Sequence, residues 1–151
     1  MECWSHGKHL TCVQVHEILY YFWYQLWELF QGKRLLSAAY QGKRSYPQLV
    51  AEMVALMGAP PASFLLRSPP EMRQGWVNDA GKWCYVDHEI KVPHLKLEEE
   101  EKVLKNAGVD NEPFLRFMRR ILVWEPEKRA TASELLADPW LASITSSSKL
   151  L

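Results

Sequence analysis

The stretch Leu122 to Leu141, LVWEPEKRATASELLADPWL, decides how the chain is read. Within it, Thr131-Ala132-Ser133-Glu134 has the spacing of a capping box: the Thr131 hydroxyl can accept from the Glu134 amide while the Glu134 carboxylate reaches back to the Thr131 amide. Leu135 and Leu136 then open a short helix. The Asp138-Pro139 pair is expected to stop it, because a proline pushes the residue before it out of the α region. Just upstream, Pro113 to Val123 places Phe114, Phe117, Met118, Ile121 and Leu122 at i, i+3, i+4, i+7 and i+8, with Arg116, Arg119 and Arg120 on the opposite side. That pattern predicts an amphipathic helix that must bury its apolar stripe.

Working outward, Pro47 followed by Leu49, Val50, Met53, Val54, Leu56 and Met57 predicts a helix with proline in its first turn, terminated by Gly58 and Pro60-Pro61. Glu17 to Phe30 is apolar almost all round and reads as a helix buried on most sides, with Gly32 as its C′ stop. Lys33 to Ser45 reads as a loop; it holds the second of two Gln-Gly-Lys-Arg copies, at 31–34 and 41–44, too short to be a structural repeat. Ala59 to Pro93, rich in Pro and Gly, reads as a long irregular excursion that Trp76 and Trp83 pin onto the helices beneath it. In the run Glu98 to Glu101, Glu98 precedes Lys102 by four residues and Glu101 precedes Lys105 by four, the order for ion pairs on a helix ending near Gly108. Every expected element is helical, so the fold class is all-α with one long irregular insert, and Ser143 to Leu151 reads as a frayed tail.

Composition narrows the function classes. The 151 residues carry 18 Lys+Arg against 18 Asp+Glu, a net charge of zero that offers no field to draw nucleic acid or an anionic membrane. The most apolar stretch, Ile18 to Phe30, has 13 residues and includes Gln25 and Glu28, short of the roughly 20 a spanning helix needs. Three cysteines without regular spacing suit a reducing, intracellular compartment, cytoplasm or nucleus, and the N-terminus has no signal-peptide pattern.

No catalytic constellation stands in the chain. Cys3, His6, His9 and Cys12 are all zinc-ligand types, but a three-residue step turns about 300° on a helix and spreads the four around its axis. They read as scattered polar residues rather than a metal site. There is no G-x-S-x-G, no activated nucleophile, and the seven glycines form no G-x-G pair and no G-K-[ST] phosphate cradle. Catalytic, cofactor-binding and metal residues are therefore all expected to be none.

Two segments read together supply a resemblance. Trp27 to Leu36 (WELFQGKRLL) and Leu122 to Leu141 resemble the two closing blocks of a eukaryotic protein kinase C-lobe, whose patterns are W-E-L-(apolar)-x-G-x-x-L-F and L-x-x-D-P-x-x-R-x-T-A-x-E-L-L-x-H-P-W-L. Trp27, Glu28 and Gly32 match the first, and Pro126, Arg129, Thr131, Glu134, Pro139 and Trp140 fall in register with the second. Leu49 to Pro61 resembles the helix that follows the first block, and the Arg67-Ser68-Pro69-Pro70 excursion resembles the insert of CMGC kinases akin to the SR-protein-specific group and its fungal relatives. The resemblance implies a partial kinase-like C-lobe, its last four or five helices, over residues 25–142, with 1–24 a divergent or unrelated segment and 143–151 a flexible tail.

The resemblance also implies what is missing. Kinases use ATP and Mg through a Gly-rich loop, a strand lysine, H-R-D-x-x-x-x-N and D-F-G, and none of these is in the chain. At the family's D-x-W-S-x-G, Glu17, Leu19, Tyr20 and Phe22 stand instead. The expectation is a truncated serine/threonine kinase C-lobe, inactive as this chain and without cofactor; the alternative is a non-catalytic, pseudokinase-like protein-interaction module presenting Arg116, Arg119, Arg120 and the acidic helix. Protein is the expected partner class, with no nucleic acid and no membrane, and the oligomeric state is left open. In the family, the arginine matching Arg129 pairs with a glutamate of the A-P-E segment. Here it must be exposed, find another carboxylate, or cost stability.

Overall fold

The computed structural model describes residues 25–70 and 90–147. The readings placed on Glu17 to Tyr24, on Cys3, His6, His9 and Cys12, and on Trp76 and Trp83 lie outside them. Helix α1 covers residues 25–31. A hairpin of β1 (Ala39–Tyr40) and β2 (Lys43–Arg44) follows, then α2 (Tyr46–Met57) and α3 (Ala62–Leu65). Beyond the excursion come α4 (Leu97–Glu100), α5 (Val103–Asn106), α6 (Glu112–Ile121), a 3₁₀ turn at Pro126–Lys128, α7 (Ala132–Leu136) and α8 (Pro139–Ser147). The fold is helical, as the periodicity predicts.

The core assembles on α6. Phe114, Leu115, Phe117, Met118 and Ile121 are all buried, as their spacing requires. Trp27 of α1 stacks on Phe114 with ring centroids 5.6 Å apart, and Phe30 lies 4.6 Å from the same ring. From the other end of the chain, Trp140 of α8 approaches Phe114 and Phe117, both at 4.9 Å. Offset and tilted aromatic pairs of this kind add about 0.5–1.5 kcal/mol each beyond their area.

Local chemistry sets the helix ends. Ser45 caps α2, its hydroxyl accepting from the Gln48 amide, and Gly58 (φ 75°) closes it with its own amide on the Val54 carbonyl. Gly32 ends α1 at φ 68°, its amide donating to the Glu28 carbonyl at 2.8 Å. A left-handed residue is what the C′ position takes, and glycine takes it without a Cβ penalty.

Five expectations are corrected. The described part of the first helix is not buried on most sides: Leu29 is 85% exposed, because Trp27 faces Phe114 and a residue two positions on points the other way. The loop at 33–45 contains a hairpin, in which Ala39 pairs with Arg44 and Tyr40 with Lys43. Its two turn residues, Gln41 and Gly42, have φ of 50° and 75°, the signature of the primed turns that suit the twist of a hairpin.

The acidic run does not form one helix with i, i+4 pairs. It breaks at Glu101, whose φ,ψ of −70°, 118° is extended, leaving two single turns. Glu98 pairs instead with Arg119, Glu99 with Lys96 and His94, and Glu100 with Lys33. The helix opened by Leu135 and Leu136, α7, does stop before Asp138-Pro139 as expected, but the expected tail from Ser143 is helical through Ser147, because a new helix, α8, starts at Pro139: proline is at home in a first turn, where its missing N–H is not needed. Finally, the start of the irregular excursion holds the turn α3.

Candidate functional site

The residues singled out by the two sequence blocks form one structural joint. Trp27 and Trp140 both pack on Phe114, so the blocks share a single packing centre. Trp27 is fully buried, and its indole N–H finds no acceptor among the described residues. Glu28 lies on the exposed side of α1, its carboxylate 3.8 Å from the Arg34 guanidinium.

The second block is docked at several points. Pro126 opens the 3₁₀ turn, whose flanking Glu125 is buried and accepts from the Ser63 hydroxyl at 2.7 Å. Lys128 and that same hydroxyl hold the Glu125 carboxyl below its ordinary value. Glu127 forms a bidentate pair with Arg67, which brings its carboxyl down to about 2. The Trp124 indole N–H donates to the Gly58 carbonyl at 3.0 Å, tying the block to the end of α2. Thr131 and Glu134 make the expected capping box, with both reciprocal bonds present, and the Thr131 amide and hydroxyl depress the Glu134 carboxyl.

Pro139 starts α8, and Asp138 before it does two jobs. One carboxylate oxygen accepts from the Trp140 amide at 3.0 Å and the other from the Arg120 guanidinium at 2.5 Å. Asp138 is 3% exposed, so the pair is shielded on the acidic side. Sequence reasoning missed this cap because it read Asp138-Pro139 only as a terminator. Asp at N-cap followed by Pro at N1 is the signal it carried.

Arg129 takes none of the three escapes cleanly. It is half-buried, and among the described residues its guanidinium donates to the Val123 carbonyl at 2.9 Å while its Nε has no partner. No carboxylate among the described residues reaches it. Burial accordingly pushes its pKa down.

A second network was not legible from sequence. Glu101 is fully buried and accepts from the amides of Leu104 (2.8 Å) and Lys105 (3.3 Å), from Gln31 (3.0 Å) and from Asn111 (2.8 Å). Gln31 in turn accepts from the amides of Lys102 and Val103. Burial alone would raise the Glu101 carboxyl, but the bonds from Asn111, Gln31 and the two amides outweigh it and hold it below the ordinary value. This carboxylate satisfies the orphan donors at the start of α5 and fastens it to α1 and α6.

Among the described residues no group of three metal-ligating side chains comes together, and no helix is long and apolar enough to cross a membrane. Arg119 is taken up by Glu98 and Glu112, and Arg120 by Asp138, so of the three arginines opposite the apolar stripe two are committed within the fold.

No family model matches the chain. It is 38% identical over 117 residues to a serine/threonine protein kinase of Aspergillus fumigatus, found in two strains, a match that covers 77% of this chain and 28% of that protein. It is 32% identical over 72 residues to a MAP kinase kinase kinase of Saccharomyces cerevisiae, covering 48% of this chain and 4% of that one. Over most of its length the chain is thus protein-kinase-like. It spans little more than a quarter of the Aspergillus relative it matches.

Proposed function

We propose that the chain is the C-terminal part of a serine/threonine protein kinase catalytic domain, of the CMGC group and akin to SR-protein kinases, and that it does not by itself transfer phosphate. The observation that carries this reading is the similarity to a serine/threonine kinase over 77% of the chain, together with the joint that the two kinase-like blocks build on Phe114. In such an enzyme ATP and Mg are held by segments this sequence does not contain, and the present helices serve as the platform beneath them. Cytoplasm or nucleus is the matching location.

Two assays test the reading. The folded chain, incubated with ATP, Mg²⁺ and Ser-Arg-rich or basic peptides, is expected to transfer no phosphate above a buffer control; transfer would overturn the inactivity. A chimera in which this chain replaces the matching part of the Aspergillus kinase is expected to remain soluble and active. A chimera that folds without activity argues against the C-lobe assignment.

The alternative of a non-catalytic interaction module keeps Arg116, which is exposed, but loses Arg119 and Arg120 as free contacts.

A further inference from the structure

The two Gln-Gly-Lys-Arg copies fold differently, yet their cations meet. In the first copy Gln31 is helical and Gly32 ends α1; in the second, Gln41 and Gly42 are the hairpin turn. Arg34 from the first, and Lys43 and Arg44 from the second, line one cleft of about 500 Å³. Glu28 is the lone carboxylate among the described lining residues, and Leu36 and Leu49 add apolar surface.

Arg34 and Lys43 present their charges to the cleft. Arg34 is 72% exposed and only loosely paired with Glu28 at 3.8 Å. Lys43 is exposed on β2, and its ammonium has no hydrogen-bond or ion-pair partner among the described residues.

The wall that carries them is held in a costly conformation. Ala38 has φ 51°, a left-handed backbone that a non-glycine residue keeps only where its surroundings enforce it. Glu52, 5% exposed, enforces it: its carboxylate accepts from the Ala38 amide at 3.0 Å, the Ser37 hydroxyl at 2.6 Å and Gln48 at 3.0 Å. The Ser45 amide closes the base of the hairpin on the Ala38 carbonyl at 2.8 Å. A buried carboxylate thus spends its charge on fixing the backbone between the two basic pairs, and the cleft is pre-shaped.

We propose that this cleft is a docking site for an acidic peptide segment, whose Asp or Glu side chains engage Arg34 and Lys43 while an apolar side chain rests on Leu36 and Leu49. Three cations against one carboxylate give the charge complementarity. A small inorganic anion would leave the apolar part of a cleft this size wet, whereas a few peptide residues fill it. The proposal is independent of the kinase reading.

The test is fluorescence anisotropy of the full chain with a labelled Asp/Glu-rich peptide containing one leucine, beside lysine-rich and uncharged peptides of equal length. Expected are preferential binding of the acidic peptide, weakening as salt is raised, and an affinity loss of about tenfold or more in Arg34→Glu and in Lys43→Glu. Circular dichroism checks that each variant is folded; should Arg34→Glu unfold, Lys43→Ala on the exposed strand carries the test. Equal binding of the three peptides, or acidic-peptide affinity indifferent to these substitutions, overturns the proposal.

Discussion

Arg120 and Asp138 join the end of α6 to the start of α8 through a 2.5 Å ion pair, and the same carboxylate caps α8 on the Trp140 amide. One side chain thereby fixes the helix that brings Trp140 onto Phe114. Asp138→Asn keeps a capping oxygen and loses the charge pairing, whereas Asp138→Ala loses both. The alanine variant is expected to cost about 1–2 kcal/mol more than the asparagine variant, within the range for an N-cap. Urea unfolding monitored by tryptophan fluorescence measures the difference, and equal losses would refute the capping role.

Glu101 accepts four hydrogen bonds while fully buried. In Glu101→Gln an amide NH₂ faces donors it cannot serve, so a loss of about 1–3 kcal/mol is expected, the cost of leaving buried donors unsatisfied. Amide hydrogen exchange should show the opening concentrated at Lys102 to Lys105. A uniform change over the chain would point to some other cause.

For Arg129 the direction is the reverse of the usual one for an ion pair. Its half-buried guanidinium has one carbonyl acceptor and no carboxylate among the described residues. Arg129→Met is therefore expected to leave stability within about 1 kcal/mol of the parent or to raise it. A loss of about 3–5 kcal/mol, the cost of breaking a buried pair, would mean that a carboxylate does reach Arg129.

Acid should undo the second block's docking first. Arg67 lowers the Glu127 carboxyl from 4.5 to about 2 on folding. A group whose pKa falls on folding contributes stability that is complete above the unfolded value and fades as pH drops toward the folded one. The contribution of Glu127 is thus present above pH 4.5 and lost between there and about 2. Glu127→Gln should flatten this limb of the stability profile, seen in thermal melts across that range, and leave the profile near neutrality parallel to the parent's. An unchanged acid limb would show the pair to be energetically silent.

Trp140 closes the core between Phe30, Phe114 and Phe117. Trp140→Ala is expected to cost about 3–5 kcal/mol, the range for large aromatic truncations. Calorimetry would register it as a large fall in Tm, and a small one would mean that α8 is dispensable.

Much of this was readable beforehand because it is local. The capping box at Thr131 and Glu134, the glycine ends at Gly32 and Gly58, the proline start of α2 and the α6 stripe each depend on residues within a turn or two. The kinase-like blocks were legible for the same reason, as contiguous strings. The acidic run misled because helical spacing is only a weak inducement, a few tenths of a kcal/mol per pair. Gln31, 70 residues away, and Asn111, ten residues on, offered the buried Glu101 hydrogen bonds worth more.

The sequence by itself determined where helices form and which of their faces are apolar, since backbone preference and periodicity act over a few residues. Only the tertiary structure decided which charges are spent: Glu98 on Arg119, Arg120 on Asp138, Glu52 on Ala38, and Arg129 on a lone carbonyl. Hydrogen bonds and ion pairs act over about 3 Å, and partners brought within that distance by the packing of Trp27 and Trp140 on Phe114 have no signature in the order of residues along the chain.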